Sequence, residues 1–158
     1  MHIQTRPVTP EDQKFLLELC GTTRARELAL TNLDSAERTA FVLHQFQAQT
    51  TYYERHYPRA NFDLLLHEGR PIGRISVDRR PDELRLMDIA LLPRYQNQGI
   101  GTRLTRALQD EARRSGRKVT LYVEINNPDA MRFYVRMGFV MVENIQTHDF
   151  MEWLPPAG

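Results

Sequence analysis

The stretch that most constrains this chain is Gln96-Asn97-Gln98-Gly99-Ile100-Gly101-Thr102. An apolar run over residues 84–92 leads into it and is closed by Pro93. A helical pattern follows at once: Ile100, Leu104, Ala107, Leu108 and Ala112 recur at spacings that place them on one helix face. The local order is therefore strand, tight loop, helix. Gly99 and Gly101 have no Cβ, so a ligand can lie directly against the backbone there. The first turn of a helix leaves N–H groups unpaired, and the helix dipole adds partial positive charge. Such a turn is an anion site, and phosphate is its usual guest.

Two phosphate-binding patterns compete for this loop. The dinucleotide pattern G-x-G-x-x-G needs a third glycine where Leu104 stands, although Glu124 could pass for its acidic partner. It should also open close to a strand end, and residues 93–98 intervene. The pattern Q/R-x-x-G-x-G/A is met in full by Gln96, Gly99 and Gly101. A second run extends it: Leu121, Val123, Asn127, Ala130 and Tyr134, closed by Gly138-Phe139. With both runs in place over about residues 84–139, the chain resembles the GCN5-related N-acetyltransferases (GNAT). That family binds acetyl-coenzyme A through such a loop.

The chain has 158 residues, enough for one domain over 1–158 with a sizeable core and a short tail at 155–158. No apolar run approaches the roughly 20 residues that span a membrane. The first residues lack the apolar centre of a signal peptide. A single cysteine, Cys20, excludes an intrachain disulfide and fits a buried thiol in a reducing, cytoplasmic setting. Net charge is +1, yet residues 94–136 hold nine basic against four acidic side chains. That excess suits a polyanionic small ligand. It is too diffuse for nucleic acid, and neither a membrane nor a nucleic-acid partner is expected.

Taken in order, residues 3–8 read as a strand, and Thr9-Pro10-Glu11-Asp12 as a helix start. That helix is expected to stop at Gly21, with 22–33 a loop holding a helical turn. Asp34 to Glu37 has the form of a capping box before a long helix that frays near Tyr53. Strands at 62–67, 72–77 and 84–92 form a meander with hairpin-length turns. After the loop helix, Gly116 is a C-cap. A strand at 118–125 then lies parallel to the 84–92 strand, because a helix crossover joins them. Asn127-Pro128 opens a last helix, ended at Gly138, and 139–143 with 148–154 form a closing hairpin. The fold class is mixed α/β (α+β), with about seven mostly antiparallel strands, one parallel pair and four helices. The resemblance further implies that the parallel pair splays apart to admit the pantetheine arm.

The resemblance also implies roles. Main-chain N–H groups of Gln98, Gly99, Ile100, Gly101 and Thr102 would hold the phosphates, with Gln96 and Asn97 shaping the loop. The N–H of Leu91 would polarise the thioester carbonyl, with Ile89 and Ala90 alongside the pantetheine. Tyr134 would protonate the departing thiolate. It also lies on an apolar stripe with Ala130, Phe133 and Met137, which a core residue would equally do. Asn127 would contact the cofactor and is an N-cap candidate before Pro128. Glu124 is the candidate base, with Asp88 and water as rivals. The five histidines show no metal-ligand spacing, and no metal is expected. Acceptor contacts would come from residues 21–33, from Tyr52, Tyr53 and Tyr57, and from the last hairpin; Arg24, Arg26 and Glu27 are the polar candidates. Glu27, Asp88 and Glu124 favour a cationic amine. The implied activity is acetyl-coenzyme A-dependent N-acetylation of a small-molecule or peptide amine, by a monomer or homodimer. A catalytically silent acyl-coenzyme A sensor and a dinucleotide-binding domain are the alternatives.

Overall fold

The computed structural model describes residues 1–157; Gly158, the last residue of the expected tail, lies outside the described residues. Seven strands form one sheet: β1 (Gln4–Pro7), β2 (Asn61–His67), β3 (Arg70–Arg79), β4 (Glu83–Leu91), β5 (Lys118–Glu124), β6 (Val140–Ile145) and β7 (His148–Trp153). Their order across the sheet is β1-β2-β3-β4-β5-β7-β6. Four helices complete the fold: α1 (Gln13–Leu28), α2 (Ser35–His56), α3 (Ile100–Ser115) and α4 (Pro128–Arg136). β4 and β5 are parallel, paired at Glu83–Lys118, Leu84–Val119 and Arg85–Thr120. Two compact units emerge, one of Met1–Ser76 with Ile89–Gln96, the other of Val77–Asp88 with the chain from Asn97 onward.

In the first unit, α1 departs from expectation. It runs through Gly21 to Leu28, where the sequence reads as a stop and a loop. Two hydroxyls inside it turn back on the helix, Thr22 to Leu19 O and Thr23 to Cys20 O. A Cβ at Gly21 would stand 3.8 Å from Val42 of α2, so the glycine sits where α1 and α2 pack. That packing buries Leu16, Cys20 and Phe46 with Leu64 of β2, and it outweighs the roughly 1 kcal/mol a helical glycine costs. Before α1, Thr9 and Asp12 close a capping box around a single 3-10 turn. α2 opens as expected: Asp34 accepts from Glu37 N at 2.8 Å, and Glu37 accepts from Asp34 N at 3.1 Å. It persists three residues beyond Tyr53, to His56. Burial raises the pKa of the Cys20 thiol, as befits a structural cysteine.

The second unit is built on α3, β5 and β7. Ile100, Leu108 and Ala112 of α3 are buried. Ala107 is exposed, contrary to the periodicity reading, and the polar Thr105 and Gln109 are buried in its stead. The buried face is centred near Leu108, one step around from the assumed stripe. Gln109 meets the demand of burial by donating to Met137 O at 2.8 Å. Gly116 caps α3 in the left-handed region, φ 67°. β5 pairs with β7 from Val119 to Glu124, and β7 with β6.

Candidate functional site

The end of β4 is held within the first unit. Leu92 N donates to Ile72 O of β3 at 2.8 Å. The Gln96 side chain turns back and donates from Nε2 to Leu91 O at 3.0 Å. Gln96, the first position of the loop pattern, thus bonds to the strand end at Leu91. Ile89, Ala90 and Leu91 are half-buried on this strand.

The loop itself belongs to the second unit from Asn97 onward. Asn97 (φ 60°) and Gly99 (φ 82°) both adopt the left-handed conformation. Asparagine and glycine are the residues that do so at least cost. Gly99 is the N-cap of α3 and no side chain caps that end. Its carbonyl accepts the first helical bond, from Arg103 N at 3.0 Å. The N–H groups of Ile100, Gly101 and Thr102 therefore have no intrahelical acceptor. A Cβ on Gly99 would meet nothing within 4 Å, so the approach to these donors is open. A Cβ on Gly101 would lie 3.7 Å from the Phe133 ring, in ordinary contact. These residues fit a diphosphate: several main-chain donors, a dipole end and open space beside Gly99. The basic excess nearby is partly consumed, since Arg113, Arg117, Lys118 and Arg132 pair with Asp110, Glu111, Glu152 and Asp129.

α4 carries two of the expected residues. Asn127 is its N-cap and accepts from Ala130 N at 3.2 Å. Tyr134 is half-buried between rings, 5.0 Å from Phe133 and 5.5 Å from Phe139, centroid to centroid. Burial, and after it the charge of Asp88, raise its pKa well above the ordinary phenol value. The phenol is thus a settled proton holder.

β5 alternates from Leu121 to Glu124, after a wholly buried stretch at Val119 and Thr120. Leu121 and Val123 are buried, while Tyr122 and Glu124 are exposed on the other face. The Tyr122 ring packs 4.9 Å from Phe150, and the buried Arg85 guanidinium lies 4.9 and 5.4 Å from the two ring centres. The β5–β7 register sets His148 opposite Glu124. The sequence gives His148 no partner beyond its own strand, because a cross-strand neighbour is visible only once the register is known. Among the described residues, no group of three or more His, Cys, Asp or Glu is arranged to hold a metal ion, and no helix is long and apolar enough to cross a membrane.

The expected acceptor residues of the first unit are largely engaged. Residues 22–28 are helix, not loop, and Arg24 pairs with Glu27 at 3.1 Å. Tyr52 stacks on His56 at 4.2 Å, and Tyr53 packs against Tyr57 and Phe62, each at 5.9 Å. These tyrosines are mutual packing at the end of α2.

Residues 28–139 match the model of the acetyltransferase (GNAT) family. N-alpha-acetyltransferase 30 of Schizosaccharomyces pombe is 33% identical over 94 residues, 56% of this chain and 62% of that protein. Aminoalkylphosphonate N-acetyltransferase of Salmonella typhimurium is 30% identical over 89 residues, 52% of this chain and 58% of that one. The aligned stretch thus spans about three fifths of each relative's length. Among solved structures, the PaiA N-acetyltransferase of Thermoplasma acidophilum, in complex with coenzyme A, superposes with a TM-score of 0.74 at 19% identity. The match covers 98% of this chain and 99% of that one. Spermidine N-acetyltransferase of Vibrio cholerae, in complex with coenzyme A and spermine, gives 0.65 at 17% identity, over 96% and 95%.

Proposed function

The chain belongs to the acetyltransferase (GNAT) family, and from that premise we propose that it moves an acetyl group from acetyl-coenzyme A directly to a primary amine. The observation that carries the reading is the start of α3, where left-handed Gly99 leaves the first-turn donors open. In this reading the whole chain works as one acetyltransferase domain, with residues 84–139 carrying the cofactor-binding core.

Each demand of the reaction has a candidate. Main-chain N–H groups of residues 98–102 hold the diphosphate, and Asn97 and Gln96 shape the loop. Ile89 and Ala90 line the pantetheine, and Leu91 N–H donates to the thioester carbonyl as negative charge builds on its oxygen. One such donor is worth a few kcal/mol. Tyr134 holds the proton for the leaving sulfur, and Asn127 joins the cofactor contacts while capping α4. Glu124, exposed at the end of β5, takes a proton from the acceptor ammonium, directly or through water, so that the free amine attacks.

The acceptor is an amine by the same reading. The relatives above are named for N-alpha acetylation, for an aminoalkylphosphonate and for spermidine, and amine acetylation is what those names share. We expect cationic amines such as polyamines, amino sugars or lysine-like groups to be preferred. The other reading is a sensor that binds acyl-coenzyme A and turns nothing over, since loop glycines serve binding alone.

Two measurements test this. Calorimetry with acetyl-coenzyme A and with NAD should show saturable binding of the first only. A free-thiol release assay over a panel of amines, alcohols and anionic acceptors should show turnover with amines. NAD binding without coenzyme A binding would overturn the reading. Binding with no turnover on any acceptor would favour the sensor.

A further inference from the structure

Gly73 stands in β3 where no side chain fits. A Cβ there would lie 2.2 Å from Ala90 O, 2.9 Å from Leu91 Cδ2 and 3.1 Å from Leu91 Cα. Heavy atoms in contact settle at about 3.5–4.0 Å. Its backbone is not among the left-handed glycines, which are Gly69, Gly99, Gly116 and Gly138. Glycine is therefore required here for space alone.

The hairpin register explains the crowding. Arg80 N donates to Glu83 O at one end of the β3–β4 hairpin, and Leu92 N donates to Ile72 O at the other. Between those bonds β4 contains one residue more than β3. The extra residue is a bulge in β4 between those two bonds, and Gly73 lies against both Ala90 and Leu91. Ala90 C=O and Leu91 N–H belong to one planar trans peptide, so they point in opposite directions and turn together. With Ala90 O directed at Gly73, Leu91 N–H is aimed away from β3. The following peptide is pinned by the Leu92–Ile72 bond and by Gln96 on Leu91 O.

We propose that Gly73 is a positioning residue for acetyl transfer: its missing side chain lets the Ala90–Leu91 peptide stand at the angle that aims Leu91 N–H. This rests on the reading of Leu91 N–H as the donor to the thioester carbonyl. Any side chain at 73 must push Ala90 O aside, and the rigid peptide then swings the donor off target. Phosphate binding uses other atoms and is left in place.

The test compares Gly73→Ala with the unmodified protein. The expected result is a fall in kcat of about 10²–10³-fold, the usual loss for one oxyanion donor, with affinity for coenzyme A, which lacks the thioester, near its original value. The double variant Gly73→Ala/Leu91→Ala should not recover, because the clash with Ala90 O remains. Recovery would assign the effect to the Leu91 side chain and overturn the proposal, as would unchanged turnover in the single variant. An amide NMR comparison separates this from the underlying reading. In the unmodified protein, the Leu91 N–H resonance should move further with acetyl-coenzyme A than with coenzyme A. If it does not, the donor role of Leu91 fails and the proposal with it; if it does while Gly73→Ala keeps full turnover, only the role of Gly73 fails. Should Gly73→Ala not fold, a strong contact between the α-protons of Gly73 and Leu91 in the unmodified protein supports the close approach that the proposal needs, and its absence overturns the proposal.

Discussion

The side-chain amide of Gln96 donates to the main-chain carbonyl of Leu91 at 3.0 Å, tying the first residue of the glycine loop to the last residue of β4. Gln96 is exposed, so the bond adds about 1 kcal/mol or less to stability. Its worth lies in fixing the strand end. Gln96→Ala should leave the melting temperature nearly unchanged and lower kcat. If the variant instead weakens coenzyme A binding at constant kcat, the side chain serves the phosphates and not the strand.

The two loop glycines should respond differently to substitution. Gly99→Ala meets no atom but must hold φ near 82°, at about 1–2 kcal/mol. It should bind acetyl-coenzyme A with a modest loss. Gly101→Ala has room against Phe133 and should be mild. Gly101→Glu sets negative charge at the phosphate site and should abolish binding. Calorimetry on the three variants gives the order, and retained binding by Gly101→Glu would remove the loop from the phosphate site.

Tyr134→Phe keeps the ring that packs on Phe133 and Phe139 and removes only the hydroxyl with its proton. Stability should change little. Turnover should fall by about 10²–10⁴, the span for a lost general acid. The residual rate should climb with pH, because the thiolate then leaves with less help. In the unmodified protein the raised phenol pKa predicts no fall in rate from Tyr134 ionisation across the neutral range. Asp88→Asn removes the secondary cause of that shift and should lower the Tyr134 pKa, readable as tyrosinate absorbance. Unchanged turnover in folded Tyr134→Phe would reduce the residue to core.

Asp12 supplies a pH prediction remote from the site. It accepts two bonds from Arg6 at 2.8 Å each and one from Thr9 N at 2.8 Å. The Arg6 guanidinium first, and then the Thr9 amide, hold its pKa well below the usual carboxylate range. A depressed folded-state pKa stabilises the protein above the unfolded value, about 3.9. That stability drains away as pH falls below it. Asp12→Asn should therefore lower the melting temperature at neutral pH and flatten its decline below about pH 4. A parallel decline in both proteins would mean that Asp12 does not govern acid unfolding.

Local chemistry was legible in the residues wherever one short segment decides its own conformation. The Thr9 helix start, the capping box at Asp34, the Asn127 N-cap, the Gly116 C-cap, the helix end at Gly138 and the alternation from Leu121 to Glu124 each follow from a few neighbouring residues. The glycine loop and its helix follow the same way, and with them the family resemblance. What failed was whatever depends on a partner far along the chain. Gly21 reads as a stop, yet α1 continues because α2 packs across it. Ala107 reads as core, yet the buried face of α3 turns one step around and takes Thr105 and Gln109. His148 stands opposite Glu124 only through the β5–β7 register, and Gly73 is demanded only by the Ala90 carbonyl and Leu91 of another strand. Propensity and capping act over a turn of chain and can be read in order. Packing and register are set by contacts between segments tens of residues apart, and only the folded chain brings those into being.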